Sequence, residues 1–497
     1  MTRNFVPLDR AHQDQSPYVD ALQGFVDADH ARWTTPGHQG SADAQVHMAR
    51  YFGEKTLELD VQTMVEGIDI GPDNAKDRSL ALAAEAWGAS RTWFLTNGSS
   101  QGNLTACLAM TGLGGSLVAQ RSVHSSVIDG LAISGMVATF VTPDIDDELG
   151  ITHSVTPERL DEALTANPDA RTALVVTPSY FGACADVPTL VEVAHRHDAA
   201  LVVDEAWGAH LGFHPDLPTN AVRLGADLVI ASMHKLGGSL SQTALLHLGH
   251  SEWAARLEPF VVRSLRSVQS TSESTLLLAS LDLARRQIAA HGQDTIGRSI
   301  ASATRLRERL ASDGRFRDAT DRMREFPSVV DIDPLRVVID TGAGGIAGHD
   351  ARRRLFHDHG HHLELSTDDV LVAIIGAGTA PDADLFADEL LALPRTQEQH
   401  RKVTSPPVPG PRRMTVREAY FAPSEVVPAS QAVGRVSADS VAAYPPGIPN
   451  LMPGEEVSAD NLAFLQETAA APFGHVRGAY VPDMSLVRVV RDHAHRG

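Results

Sequence analysis

The stretch Asp227-Leu-Val-Ile-Ala-Ser232-Met-His234-Lys235-Leu-Gly237-Gly238-Ser239 brings a hydroxyl, an imidazole and an amine together at the end of a short apolar run. A run of this length and composition reads as a buried strand, and the glycines after it let the backbone turn tightly. Strand ends of this kind are where open α/β sheets hold ligands. Only four lysines occur in the chain, Lys55, Lys76, Lys235 and Lys402; arginine carries nearly all the remaining positive charge. An amine condenses with an aldehyde and a guanidinium does not, so Lys235 beside Ser232 and His234 is a candidate Schiff-base former. Taken alone, the segment is equally compatible with a solvated lysine at a strand-to-loop junction.

Two upstream clusters bear on that choice. Thr96-Asn-Gly-Ser99-Ser100-Gln101-Gly-Asn103 follows an apolar run at Thr92 to Leu95 and precedes a helical pattern through Met110. In a strand, Gly/Ser loop and helix start, free N–H groups, hydroxyls and the helix dipole all favour a bound phosphate. A capped helix start without ligand fits the same residues. Ala200-Leu-Val-Val-Asp204-Glu-Ala206-Trp207 places a carboxylate at another strand end. With Lys235 following 31 positions later, also at a strand end, a shared site explains Asp204 better than a helix cap does.

The elements that must position these groups alternate. Strands are expected at Thr92 to Leu95, Ser116 to Ala119, Val137 to Val141, Arg171 to Thr177, Ala200 to Asp204 and Asp227 to Ser232, with helices such as Thr156 to Ala166 and Pro188 to His197 between them. Such alternation predicts an α/β fold with a mostly parallel sheet covered by helices on both faces. Beyond Ser280 we expect a long helix and then a separate Arg-rich amphipathic helix near Ser299 to Leu310. Strands at Leu335 to Asp340 and Val370 to Ile375 mark a second domain. The 497-residue chain divides into an N-terminal segment, 1–60, a large domain, 61–290, a small α/β domain, 291–400, and a C-terminal domain, 401–497, entered through the stiff stretch Pro406 to Pro411.

A formal charge of −20 argues against nucleic-acid or anionic-membrane partners, since those surfaces are bound by clustered Lys and Arg. The first residues contain no apolar signal core, and no stretch reaches the roughly 18 apolar residues of a spanning helix, so a cytoplasmic protein is expected. Two cysteines, Cys107 and Cys184, cannot build a disulfide framework or a zinc site, in keeping with a reducing compartment. His357, His359, His361 and His362 follow an Arg-rich run and read as a solvated turn; no metal is expected.

Together, the phosphate-type loop, the strand-end Asp204, Ser-x-His-Lys and the imidazole of His124 are the parts needed to hold pyridoxal phosphate. The chain resembles the short form of the bacterial ornithine/lysine/arginine decarboxylases. The resemblance rests on Thr35-Pro-Gly-His38, Asn97-Gly-Ser-Ser100, Val123-His124-Ser-Ser126, Asp144 to Ile151, Pro178-Ser-Tyr-Phe-Gly182, Val203-Asp-Glu-Ala206, His234 to Ser239, Arg417-Glu-Ala-Tyr-Phe421 and Tyr444-Pro-Pro-Gly-Ile448. It implies a fold-type-I, aspartate-aminotransferase-like large domain with a seven-stranded, mostly parallel sheet, a smaller α/β domain and an appended C-terminal α+β domain.

The resemblance also implies residue roles. Lys235 bonds the cofactor aldehyde, Asp204 pairs with the pyridine nitrogen and His124 stacks on the ring. Ser99, Ser100, Gln101, Ser232 and His234 hold the phosphate, with Ala206 beside Asp204, and Thr271 completes the cup of a partner subunit in a homodimer or higher even oligomer with shared sites. Glu455 of the Pro-Gly-Glu segment meets the substrate's distal cation. The substrate side departs from the family: Glu273 precedes Ser274-Thr275 where a Ser-Tyr pair is usual, Trp207 follows the Asp-x-Ala motif, and Met233 replaces Thr or Val. Trp207 and Glu273 are accordingly further substrate-side candidates.

The expected reaction is α-decarboxylation of arginine, lysine or ornithine to a polyamine precursor. Transamination or oxidation with the same cofactor is the alternative. Residues 363–379, where an aminotransferase of this fold would carry a carboxylate-binding arginine, contain none. A catalytically silent relative that only binds a partner is the alternative from another class, and retention of Lys235 argues against it.

Overall fold

The computed structural model describes residues 3, 5–396, 407–444, 448–471 and 474–491. Pro406 of the expected linker, and Pro445 to Gly447 of the Tyr444 segment, lie outside the described residues. The central sheet has seven strands: β1 (Arg91–Leu95), β2 (Ser116–Gln120), β3 (Val137–Val141), β4 (Ala170–Val176), β5 (Ala200–Asp204), β6 (Leu228–Ala231) and β7 (Ala244–Leu248). Their order is β1-β7-β6-β5-β4-β2-β3. β2 runs parallel to β3 and β4, while β7 is antiparallel to β1 and β6. Every residue of β5, β6 and β7 is buried, the signature of a sheet covered on both faces.

Six strands lie where the apolar runs place them; β7 was not foreseen. Its sequence, Ala-Leu-Leu-His-Leu, carries a histidine mid-run directly after a Gly/Ser-rich turn, which breaks the pattern of a core strand. The structure accommodates His247 by keeping it neutral. Its Nδ1 shares a 2.8 Å hydrogen bond with the Thr92 hydroxyl across the β1–β7 register, and its ring stacks on Trp87 at 5.4 Å. Burial pushes its pKa down to about 3. A histidine depressed in this way stabilises the fold above pH 6.5, where both folded and unfolded forms are neutral, and that contribution is lost as pH falls toward 3. Between pH 6.5 and 4.5 the wild type is therefore expected to lose roughly 2–3 kcal/mol more stability than His247→Val, a difference that denaturant unfolding at the two pH values measures.

The second departure concerns the helices after Ser274. One 39-residue helix, Thr275–Asp313, replaces the expected pair. Gly292 and Gly297 lie inside it; a helical glycine costs only about 1 kcal/mol, and here packing uses its small size. A Cβ at those positions would meet Phe213 Cβ at 3.4 Å and His214 Nε2 at 3.3 Å. The buried Asp282–Arg285 pair of the same helix fixes the N-terminal segment, Arg285 Nη1 donating to the Gln13 carbonyl at 2.6 Å and Asp282 Oδ2 accepting the Tyr18 N–H at 3.0 Å.

The chain forms two compact units, Met1–Thr105 with Val203–Ser299 and Gly376–Thr379, and Ala106–Val202 with Ile300–Ile375 and Ala380–Gly497. Within the second, the expected strands form a four-stranded antiparallel sheet of Arg317–Asp318, Arg336–Asp340, Val370–Ile374 and Leu365–Ser366. Helices Gly348–His359 and Ala383–Ala392 cover a core that includes Leu310, Val337, Leu371 and Leu390. A separate apolar core, with Val427, Leu451, Leu465 and Val489, holds the C-terminal strands and helix Ala459–Ala470. Among the described residues no helix is long and apolar enough to cross a membrane.

Candidate active site

The first unit carries most of the chemistry. Past β6 the chain makes one π-helical turn, Met233–Gly237, and leaves it through Gly238 at φ +88°, a left-handed conformation that favours glycine. Gly237 is equally constrained, since a Cβ there would come within 2.2 Å of Met233 Sδ. The turn projects Lys235 so that its Nζ lies 4.0 Å from the ring centroid of Trp207, which follows β5. β5 and β6 end side by side, the Glu205 N–H donating to the Ile230 carbonyl at 2.8 Å. Asp204 and Lys235 thus come from adjacent strand ends.

The hydroxyls of Ser99 and Ser232 are 2.6 Å apart and buried. Ser99 sits in the first turn of helix Gly98–Met110, whose leading N–H groups lack intrahelical partners. Gly98 has φ +68°. His234 donates from Nδ1 to the Thr243 carbonyl at 2.8 Å, which directs its Nε2 away from the backbone. Ser100 is exposed at the same helix start. Gln101 is oriented differently: its Oε1 accepts the Asn97 N–H at 3.1 Å and its Nε2 donates to Gln269 Oε1, whose own amide reaches Thr96 Oγ1 at 3.3 Å. The Gln101 side chain therefore braces the loop from behind.

Asp204, 3% exposed, accepts two hydrogen bonds on different oxygens. The Ala206 N–H donates to Oδ1 at 3.1 Å, and Asn103 Nδ2 donates to Oδ2 at 2.9 Å. Asn103 and Gln269 were not singled out from sequence. The only signal for Asn103 is its position four residues after Ser99, which puts both on one helix face. Gln269 offers no local signal at all.

This arrangement has clear relatives. The model of the Orn/Lys/Arg decarboxylase major domain matches residues 16–332, and that of the Orn/Lys/Arg decarboxylase C-terminal domain matches residues 397–472. The chain belongs to the Orn/Lys/Arg decarboxylase family. It is similar to an arginine decarboxylase of Bacillus subtilis, 32% identical over 97% of this chain and 99% of the relative, and to one of Halalkalibacterium halodurans, 33% identical over the same shares. The constitutive lysine decarboxylase of Escherichia coli has the same fold, with TM-score 0.79 at 20% identity over 96% of this chain and 82% of that one. The activity is pyridoxal-phosphate-dependent decarboxylation of a basic amino acid. The donor set fits that cofactor: hydroxyls at a helix start suit a phosphate, a buried carboxylate suits a pyridinium, and a strand-end amine suits an aldehyde.

The substrate-side residues of the decarboxylase are placed less simply. In the second unit Glu455 forms a buried bidentate pair with Arg121, at 2.6 and 2.8 Å, and also accepts the Met452 N–H at 3.1 Å. Arg121 Nε further donates to the Pro449 carbonyl at 3.2 Å. Glu273 pairs with Lys76 at 2.5 Å. Each glutamate is thus paired with a cation of its own chain. Neutralising Glu455 strands a buried guanidinium, so Glu455→Gln is expected to lower stability by about 3–5 kcal/mol, read as a shifted denaturant midpoint.

Thr271 lies on an exposed loop, where its carbonyl accepts from Thr63 Oγ1 at 3.4 Å. His124, in the second unit, caps helix Ser125–Ser134, its Nδ1 accepting the Ser126 N–H at 3.2 Å.

Proposed function

We propose that this decarboxylase acts on arginine and that Lys235, Asp204, Ser99 and Ser232 form the centre of its site. The full-length similarity to two arginine decarboxylases supports the substrate. The observation that carries the site is the convergence of a paired Ser99–Ser232 hydroxyl, a doubly hydrogen-bonded Asp204 and Lys235 on neighbouring strand ends.

When bound, the cofactor accepts the electron pair released as the α-carboxylate leaves as carbon dioxide. The chain's own groups set the conditions. Ser99 and Ser232, with the first-turn N–H groups and His234, bind the phosphate. Asp204 keeps a positive charge on the ring nitrogen facing it. Lys235 anchors the aldehyde, and its Nζ is the group able to deliver a proton to the substrate Cα. The Trp207 ring beneath that amine fixes its direction. His124 is proposed to stack on the ring, with Ser100, Ala206 and Thr271 at the edges of the cup.

An even homo-oligomer with shared sites belongs to the same reading. Trp33, 91% exposed, together with Tyr51, Phe52 and Met64, gives the first unit an amount of exposed apolar surface that supports burial against a second copy. The buried cysteines Cys107 and Cys184, both in the reduced form, support a cytoplasmic setting.

The deciding experiment offers the purified enzyme arginine, lysine, ornithine and norleucine, quantifying carbon dioxide and amine product by mass spectrometry. Agmatine formed with the highest kcat/KM is the expected outcome. Lysine or ornithine turned over as efficiently rejects the arginine assignment, and a keto acid without carbon dioxide rejects the reaction.

A further inference from the structure

We propose that Asn103 is a positioning residue for catalysis, which aims the Asp204 carboxylate at the cofactor nitrogen and holds it there as an acceptor. The proposal rests on the pyridoxal phosphate reading above.

The argument begins with the helix Gly98–Met110. Ser99 and Asn103 stand four residues apart, so they share a face and are separated by about 6 Å along the axis. One rigid element therefore presents a hydroxyl at its first turn and an amide at its second. The hydroxyl meets Ser232 beyond β6, and the amide meets Asp204 at the end of β5. Relative placement of the two ends of the site is written into a single helix.

Asn103 is 1% exposed and Asp204 is 3% exposed. A carboxylate accepts and does not donate, so the 2.9 Å contact fixes Asn103 with its amide nitrogen toward Asp204. The second donor, the Ala206 N–H, meets the other oxygen at 3.1 Å. Two donors on two oxygens block rotation of the carboxylate and leave its remaining lone pairs in a set direction. A buried anion costs several kcal/mol unless it is compensated, and Asn103 supplies one of the two donors described through a side chain that mutation can remove.

Glu205, next in the chain and also buried, accepts from a single donor. Its Oε1 accepts the Ala221 N–H at 2.8 Å, while Oε2 meets no partner among the described residues. Burial pushes its carboxyl well above the usual range, toward the neutral form.

The test uses full-length Asn103→Leu, which removes the donor while keeping the same branched heavy-atom outline, and Asn103→Ser, which stays polar but is too short to reach. Each is reconstituted with pyridoxal phosphate. Loss of a hydrogen bond to a charged group predicts kcat lower by about 10- to 100-fold with KM within about threefold, and a cofactor Kd raised by about tenfold. The absorbance of the bound cofactor is expected to change in position or pH dependence, which a purely structural residue would leave alone. If the leucine variant does not fold, the serine variant carries the same expectations.

A folded variant with wild-type kcat, cofactor Kd and spectrum overturns the proposal. So does a loss that merely tracks a lower melting temperature of the cofactor-free protein. Wild-type enzyme that binds no pyridoxal phosphate overturns instead the cofactor reading on which the proposal stands.

Discussion

Lys235→Ala is expected to leave a folded protein whose turnover falls by several orders of magnitude, because it deletes the amine proposed to anchor the cofactor and deliver a proton. The structure explains why the fold survives. Lys235 is only partly buried, and the π-helical turn that carries it is set by neighbours: buried Met233 and Leu236, the close approach at Gly237 and the left-handed Gly238. The local loss includes the contact of Nζ with the Trp207 ring, worth about 1 kcal/mol at a site of this exposure. Carbon dioxide release, circular dichroism and borohydride labelling of the holoenzyme check the three parts of this expectation. Turnover within roughly tenfold of wild type would remove Lys235 from the centre of the site, as would borohydride fixing the cofactor on another residue.

Asp204→Asn should have the next largest effect, with kcat reduced by roughly a thousandfold and the cofactor still bound. Two consequences follow from the observed hydrogen bonds. The negative charge proposed to face the ring nitrogen disappears, and with it the main reason for that nitrogen to hold a proton. In addition, an amide at this position cannot accept on both sides. Either the Ala206 N–H faces an NH2 group, donor against donor in a buried setting, or Asn103 must turn its amide over to accept from that NH2 through Oδ1. Cofactor retention is expected because the Ser99–Ser232 end of the site is untouched. Single-turnover decarboxylation and cofactor titration measure the two effects separately; unchanged turnover at full occupancy would contradict the role given to Asp204.

What the amino-acid sequence determined by itself is the part of this protein that depends on local composition. Short apolar runs between polar turns mark six of the seven central strands, and the polar residues at or just past the ends of β1, β5 and β6 mark the positions where Ser99, Asp204 and Lys235 emerge. A strand inside a sheet covered on both faces must be apolar throughout, so its end is visible as the first chemistry-bearing residue. β7 escaped because tertiary packing tolerates a neutral histidine there, sandwiched by Trp87 and Thr92. The long helix escaped because Phe213 and His214, distant in sequence, use the space that its glycines leave.

Only the tertiary structure decided the partners. Asn103 meets Asp204 across 101 positions, and Arg121 meets Glu455 across 334. The Pro-Gly-Glu segment identified a carboxylate that could serve a cationic substrate, but not the guanidinium that neutralises it within the chain. A polar residue's type limits what it can donate or accept; which group satisfies it is settled when folding removes water from both and leaves each the neighbour that packing provides.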